Sequence, residues 1–139
     1  MHPLAPETAR TFWSDALGAA DRGERIVLGA FDGETLAGTV TLLLNLPPNQ
    51  PHRAEIAKLM TRESHRGRGI ATELMRAAEA EAVKLSRTLL VLDTAEEDGA
   101  SKLYERIGFT YAGTIPDYAL KPRGGLTGTM LYWKRIGKR

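Results

Sequence analysis

Apolar residues along the chain follow two rhythms. Phe12, Trp13, Ala16, Leu17 and Ala20 recur at helical spacing behind Pro6, which predicts a helix from about Glu7 to Ala20, ended by Arg22-Gly23. Ile26 to Phe31 then reads as a strand, Asp32-Gly33 as a tight turn, and Leu36 to Leu46 as the returning strand of a hairpin. Pro47, Pro48 and Pro51 break regular structure before a further strand over about Arg53 to Thr61. A glycine-bearing turn, Ser64 to Gly69, opens onto a helix reaching about Leu85. Ile70, Leu74, Ala77, Ala78, Ala82 and Leu85 form its apolar face, with Arg76, Glu79, Glu81 and Lys84 mostly toward solvent. Thr88 to Asp93 is a short apolar run suited to a strand covered on both faces. A helix over about Gly99 to Arg106 stops at Gly108, and Phe109 to Ile115 and Thr129 to Trp133 read as the last strands, joined by a polar loop.

The resulting order, α, β, β, β, α, β, α, β, β, has hairpins early and late and a βαβ crossover in the middle, so the fold class is α/β (α+β) with a mixed sheet. At 139 residues, without repeats or a linker, the chain is expected to form a single domain over 1–139. Hydrophobic residues at 42% and charged residues at 26% fit a globular protein and exclude a disordered one. A net charge of only +2 argues against nucleic acid as a partner. The absence of cysteine excludes disulfides, thiolate nucleophiles and Cys-ligated zinc, and no two histidines have metal-ligand spacing. Apolar runs such as Val40 to Leu44 fall far short of the roughly 20 residues of a membrane helix, and the first residues do not read as a signal peptide. A cytoplasmic location, no membrane and no metal are the expectations.

The stretch richest in chemistry is His65-Arg66-Gly67-Arg68-Gly69-Ile70-Ala71-Thr72. Two glycines directly before an amphipathic helix permit backbone conformations closed to other residues and keep side chains out of a ligand's way. The first-turn amides of the helix lack intrahelical partners and lie at the positive end of its dipole, which suits a phosphate or diphosphate. Arg66 and Arg68 would add positive charge. The same residues also fit a plain strand-to-helix turn with solvated arginines; the strand before and the helix and strand after favour the anion seat. A P-loop is excluded for want of Gly-Lys followed by Ser or Thr. A dinucleotide fingerprint is closer, with Gly67-x-Gly69, Thr72 at the third glycine position and Asp93 at a fitting distance at the end of the next strand, but this short chain lacks room for the usual six-stranded sheet.

Arg66-Gly67-Arg68-Gly69-Ile70-Ala71 resembles the R/Q-x-x-G-x-G/A motif of the GNAT acetyltransferase family, and Ala100-Ser101-Lys102-Leu103-Tyr104-Glu105-Arg106-Ile107-Gly108-Phe109 resembles its A-x-x-L-Y-E-x-x-G-F signature. The resemblance runs from about Phe12 onward. Pro51 to Met60 and Leu92-Asp93-Thr94 are similar to the tabtoxin-resistance-type members. It implies a mostly antiparallel sheet of about six strands with helices on both faces, from which the family's first strand is missing, and acetyl-CoA as co-substrate. It also implies that Arg66, Gly67, Arg68, Gly69, Ile70 and Ala71 hold the diphosphate and that Leu59 and Met60 hold the pantetheine. Where the family often has Asn, this chain has Glu97.

Acetyl transfer from a thioester needs a neutral amine, a donor for the carbonyl oxygen and a proton for the leaving thiolate. An alkyl ammonium has a pKa near ~10, which gives a carboxylate base a clear task. Glu55 and Asp93 stand on successive strands around the glycine turn, and the resemblance makes both candidate bases. The plainer alternative pairs either with a basic neighbour such as Arg53 or Lys58. Strict alternation sets Glu55 on the face of Ala57 and Leu59; a bulge in that strand would change the parity. Tyr104 is the candidate general acid, with core packing beside Leu103 and Phe109 as its alternative. His52, Trp13, Tyr118 and Trp133 are lesser candidates for contact with the acceptor, and the basic tail from Lys134 to Arg139 reads as a solvated terminus. The expected activity is acetyl transfer to a small, amino-acid-like or antibiotic-like amine by a monomer or homodimer. A non-catalytic acyl-CoA-binding module and a peptide or protein amine acetyltransferase are the alternatives.

Overall fold

A computed structural model describes residues 11–15 as backbone and residues 24–96 and 100–137 in full. The strands are β1 (Thr11–Asp15), β2 (Arg25–Asp32), β3 (Thr35–Leu43), β4 (Arg53–Thr61), β5 (Leu89–Ala95), β6 (Thr110–Leu120) and β7 (Leu126–Arg135). A 3₁₀ turn, Glu63–His65, and helix α1 (Ile70–Lys84) connect β4 to β5, and helix α2 (Ser101–Arg106) connects β5 to β6. One sheet holds all seven strands in the order β1-β2-β3-β4-β5-β7-β6. Among the described strands, only the β4–β5 pair is parallel. The mixed, mostly antiparallel sheet expected from the sequence is therefore present, with its single crossover through α1.

The first element differs from the sequence expectation. Thr11–Asp15 is a strand paired antiparallel with β2, not part of a helix, and it adds a seventh strand at one edge of the sheet, where about six were expected in all. Thr, Phe and Trp favour extended backbone, and the open edge of β2 supplies hydrogen-bond partners that override a helical spacing of only five apolar positions. The rest of the expected helix falls on residues outside those described. The last hairpin is also longer than expected. β6 runs through Pro116, which an edge strand tolerates because its missing N–H faces no neighbour.

Register shows which side chains share a face. Leu42 pairs with Ile56, Ile56 with Leu92 and Leu92 with Tyr132, so these four point to the same side. Each is at most 4% exposed. α1 lays Ile70, Leu74, Met75, Ala78 and Ala82 on this side, and Gly38 makes the approach close. A Cβ there would lie 2.8 Å from Met60 O and 3.0 Å from Leu74 Cδ1. α2 adds Tyr104 to the same core, its ring 5.7 Å from Tyr132. Both described helices therefore occupy one face; of the helix expected over about Glu7 to Ala20, all but residues 11–15 lies outside the described residues. Gly108 ends α2 as expected, with its N–H reaching Glu105 O and that of Phe109 reaching Tyr104 O. Among the described residues, no helix is long and apolar enough to cross a membrane.

Candidate functional site

After the 3₁₀ turn the backbone extends at Arg66 and passes through left-handed conformations at Gly67 (φ 80°) and Gly69 (φ 79°). A residue with a Cβ resists that region by roughly 1–2 kcal/mol. No heavy atom lies within 4 Å of a Cβ built at either glycine, so both border open space. Gly69 is the N-cap of α1 and no side chain caps the helix; the first amide bonded into it is Glu73 N–H, which reaches Gly69 O at 3.1 Å. The amides of Gly69, Ile70, Ala71 and Thr72 thus have no partner within the helix. Arg66 N–H is donated to Glu63 O at 3.3 Å, which leaves Arg66 its guanidinium for any ligand.

The opening beside these amides comes from a parting of strands. β4 and β5 pair only from Arg53↔Leu89 to Ile56↔Leu92, although both continue beyond that point. On its other side β4 carries the bulge that the sequence left open. Thr41 pairs with Ala57 and Thr39 with Met60, so two residues of β4, Lys58 and Leu59, oppose the single residue Val40. Lys58 absorbs the extra residue at φ 55°. The bulge flips the parity: Leu59 turns to the core with Ala54 and Ile56, while Met60 is 60% exposed.

Two cavities meet at this parting. The larger, about 760 Å³, is lined by Leu59, Met60 and Thr61 of β4, by Arg66, Gly67, Gly69, Ala71 and Thr72, and by Ala100 with Leu103, Tyr104 and Arg106 of α2. Its volume suits a ligand of cofactor size. The smaller, about 240 Å³, lies between β4 and β5 and includes Lys58, Asp93, Thr94 and Ala95. Leu59 and Tyr104 line both. Of the eight residues expected to hold the cofactor, six line the larger cavity. The other two do not: Arg68 leans toward Asp32, with Nη1 3.9 Å from Oδ2, and the Ile70 side chain is buried under the sheet, leaving its amide.

Tyr104 is 6% exposed and packs edge-on against Phe109, ring centres 6.2 Å apart. It is therefore both a core residue and a wall of both cavities. Asp93 lines the smaller cavity, and its Oδ2 accepts the Thr129 hydroxyl at 3.1 Å. Glu55 lies opposite Val91 and so on the same face as Asp93, but it lines neither cavity and takes Arg53 Nη1 at 2.7 Å, the plainer of its two expected fates. His52 sits at the far end of the strands, where its carbonyl accepts from Thr88 N–H at 2.7 Å, in a separate hollow with Trp133. Tyr118 is exposed on β6. Trp13 has only its backbone described, and Glu97 lies outside the described residues. Among the described residues, no three His, Asp or Glu side chains are placed to hold a metal ion.

Three participants were not singled out in the sequence. Thr129 is 36 residues from Asp93 and meets it only through β5–β7 pairing. Lys58 carries no mark of its left-handed backbone, since it is not glycine. Arg106 belongs to the second signature, but its place in the lining of the same cavity as Arg66 depends on how α2 docks.

Residues 2–109 match the pattern of the acetyltransferase (GNAT) family. The chain is 30% identical over 129 residues to the uncharacterized N-acetyltransferase YsnE of Bacillus subtilis (strain 168), covering 88% of this chain and 73% of that one. Its fold is similar to that of yncA from Salmonella typhimurium, solved with its cofactor acetyl-CoA, with a TM-score of 0.78 at 17% identity over 87% of this chain and 70% of that one. It is also similar to an N-acetyltransferase from Staphylococcus aureus Mu50, with a TM-score of 0.77 at 23% identity over 84% and 71% of the two chains.

Proposed function

The chain belongs to the acetyltransferase (GNAT) family, and from that premise we propose that it is an N-acetyltransferase that uses acetyl-CoA to acetylate the amine of a small molecule by direct attack in a ternary complex. One observation carries this reading: a cleft of about 760 Å³ with free helix-start amides at one end and the parted strands and Tyr104 at the other. A diphosphate seated on the amides of Gly67 to Ala71, beside Arg66, would send the pantetheine along Leu59 and Met60 toward Tyr104. The acetyl-CoA complex of the Salmonella typhimurium protein, similar in fold, supports the choice of cofactor.

The acceptor nitrogen bonds to the acetyl carbon as the carbon–sulfur bond breaks. The nitrogen's proton passes to a carboxylate, and the Tyr104 hydroxyl supplies one to the departing sulfur. Between the two candidate bases the geometry favours Asp93, which shares a cavity with Tyr104, over Glu55, which is engaged by Arg53. Thr129 would hold the Asp93 carboxylate in place. A cytoplasmic location and an amino-acid-like or antibiotic-like acceptor belong to the same reading. The test is acetyl-CoA-dependent release of free thiol across a panel of small amines and amine-bearing peptides. Turnover with small amines supports the proposal, turnover with peptides alone redirects it to protein substrates, and binding without turnover marks a non-catalytic module.

A further inference from the structure

The diphosphate turn is tied to a distant hairpin by a buried histidine. His65, the last residue of the 3₁₀ turn, is only 9% exposed. Its Nε2 lies 3.1 Å from Asp32 Oδ2, and its Nδ1 lies 2.9 Å from Ser64 Oγ. With the Nε2 proton donated to the carboxylate, Nδ1 is left to accept from the serine hydroxyl. Asp32 ends β2 at the hairpin turn, 33 residues earlier, and the same Oδ2 faces Arg68 Nη1 at 3.9 Å. Two further bonds run the same way: Arg62 N–H to Ala37 O at 2.7 Å and Arg62 Nε to Leu36 O at 3.1 Å. The segment just before Gly67 and Gly69 is thus fastened to the β2–β3 hairpin at several points.

We infer that Asp32 is a positioning residue for the cofactor turn. Through His65 and Arg68 it holds residues 66–69 with their amides already aimed into the cleft. Gly67 and Gly69 make this necessary. Glycine is the residue that loses most conformational freedom on ordering, so a turn carrying two of them needs an external anchor to stay preset. Asp32 lines neither cavity of the site, so its action on a ligand runs through its partners. The inference deepens the functional reading, because the ligand of the preset turn is the diphosphate of acetyl-CoA.

The sign of the effect separates positioning from plain electrostatics. A carboxylate near an anion seat opposes anion binding, so if only its charge mattered, Asp32→Ala and Asp32→Asn would both tighten acetyl-CoA binding. Positioning predicts that Asp32→Ala weakens binding about tenfold, the scale of one lost hydrogen bond to a charged group. Asp32→Asn, which keeps an acceptor for His65 Nε2–H, should restore most of it. The experiment is calorimetric titration of the full chain and both variants with acetyl-CoA, together with amide hydrogen exchange, without ligand, of Arg62, His65 and Arg66, whose N–H groups are bonded to Ala37 O, Arg62 O and Glu63 O. Faster exchange of these three amides in Asp32→Ala, with the amides of the other strands unchanged, supports the anchor. Exchange unchanged at Arg62, His65 and Arg66, or equal tightening in both variants, overturns it. Failure of the unmodified chain to bind acetyl-CoA would instead refute the cofactor reading, while the exchange result still decides the anchor.

Discussion

The Thr129 hydroxyl donates to Asp93 Oδ2 at 3.1 Å, joining β7 to the end of β5 at the point where β5 has parted from β4. Thr129 is 4% exposed, so the bond is shielded from water on one side while Asp93 opens to the cavity on the other. If Asp93 is the base, Asp93→Asn should lower kcat about 10²-fold or more, the usual scale for loss of a general base. Acetyl-CoA affinity should stay within about twofold. Glu55→Gln should lower kcat less than tenfold, and Thr129→Val should fall between the two. Steady-state kinetics of the three variants rank them, and the reverse order for Asp93 and Glu55 would transfer the base to Glu55.

Tyr104 has two duties that substitution can separate. Tyr104→Phe keeps the ring contacts with Phe109 and Tyr132 and removes only the hydroxyl. It should lower kcat about 10- to 100-fold with little change in melting temperature. Tyr104→Ala should destabilise the fold by about 3–5 kcal/mol through the cavity it leaves. Thermal melts alongside kinetics distinguish the two; full activity in the Phe variant would leave Tyr104 with packing alone.

Gly67→Ala and Gly69→Ala meet no protein atom within 4 Å, so their effect on the fold is confined to backbone strain. Each should destabilise by about 1–2 kcal/mol. Each should also weaken acetyl-CoA binding at least about tenfold, because the new methyl group stands beside the amides the diphosphate needs. Gly38→Ala should lower stability through the clash with Met60 O, Leu74 and Ile70 rather than through backbone strain. Denaturant midpoints on all three, and ligand titrations on the two turn variants, test this.

Tyr132 gives a prediction in pH. Its hydroxyl is buried without a partner at hydrogen-bonding geometry, and burial pushes its ionisation above the ordinary value of 10.0, with Ser101, outside bonding geometry, pulling it partly back. The folded state therefore holds this proton more tightly than the unfolded state. Its contribution to stability is constant below about pH 10 and declines above it, where the unfolded chain ionises first. Tyr132→Phe should leave stability at neutral pH equal or up to about 1 kcal/mol higher, and should flatten the alkaline decline. Urea unfolding at pH 8 and pH 11 measures both.

The sequence made some elements legible and concealed others. α1 and the hairpin β2–β3 were readable because their apolar periods are long and uninterrupted, and the cofactor turn because two glycines before a helix are a local signal. β1 was misread because five apolar positions at helical spacing also include Phe and Trp, which suit a strand once an open edge is available. The bulge at Lys58 was foreseeable only as a need, since nothing in Ala57-Lys58-Leu59 marks a left-handed residue. Arg68 suits a phosphate by its place beside Gly69, and only the fold shows that its Nη1 also lies 3.9 Å from Asp32 Oδ2. Thr129 was invisible, because its meeting with Asp93 is created by strand order.

The central claim is that free amides at the start of α1 seat the diphosphate of acetyl-CoA. It is tested most directly by titrating the labelled protein with acetyl-CoA while following its backbone amide resonances. Saturable shifts confined to Gly67 through Thr72, Leu59 to Thr61 and the α2 wall, complete below about 1 mM, are the predicted result, that concentration corresponding to a binding free energy of about −4 kcal/mol or better. No saturation at millimolar acetyl-CoA, or shifts centred elsewhere on the sheet, would contradict it.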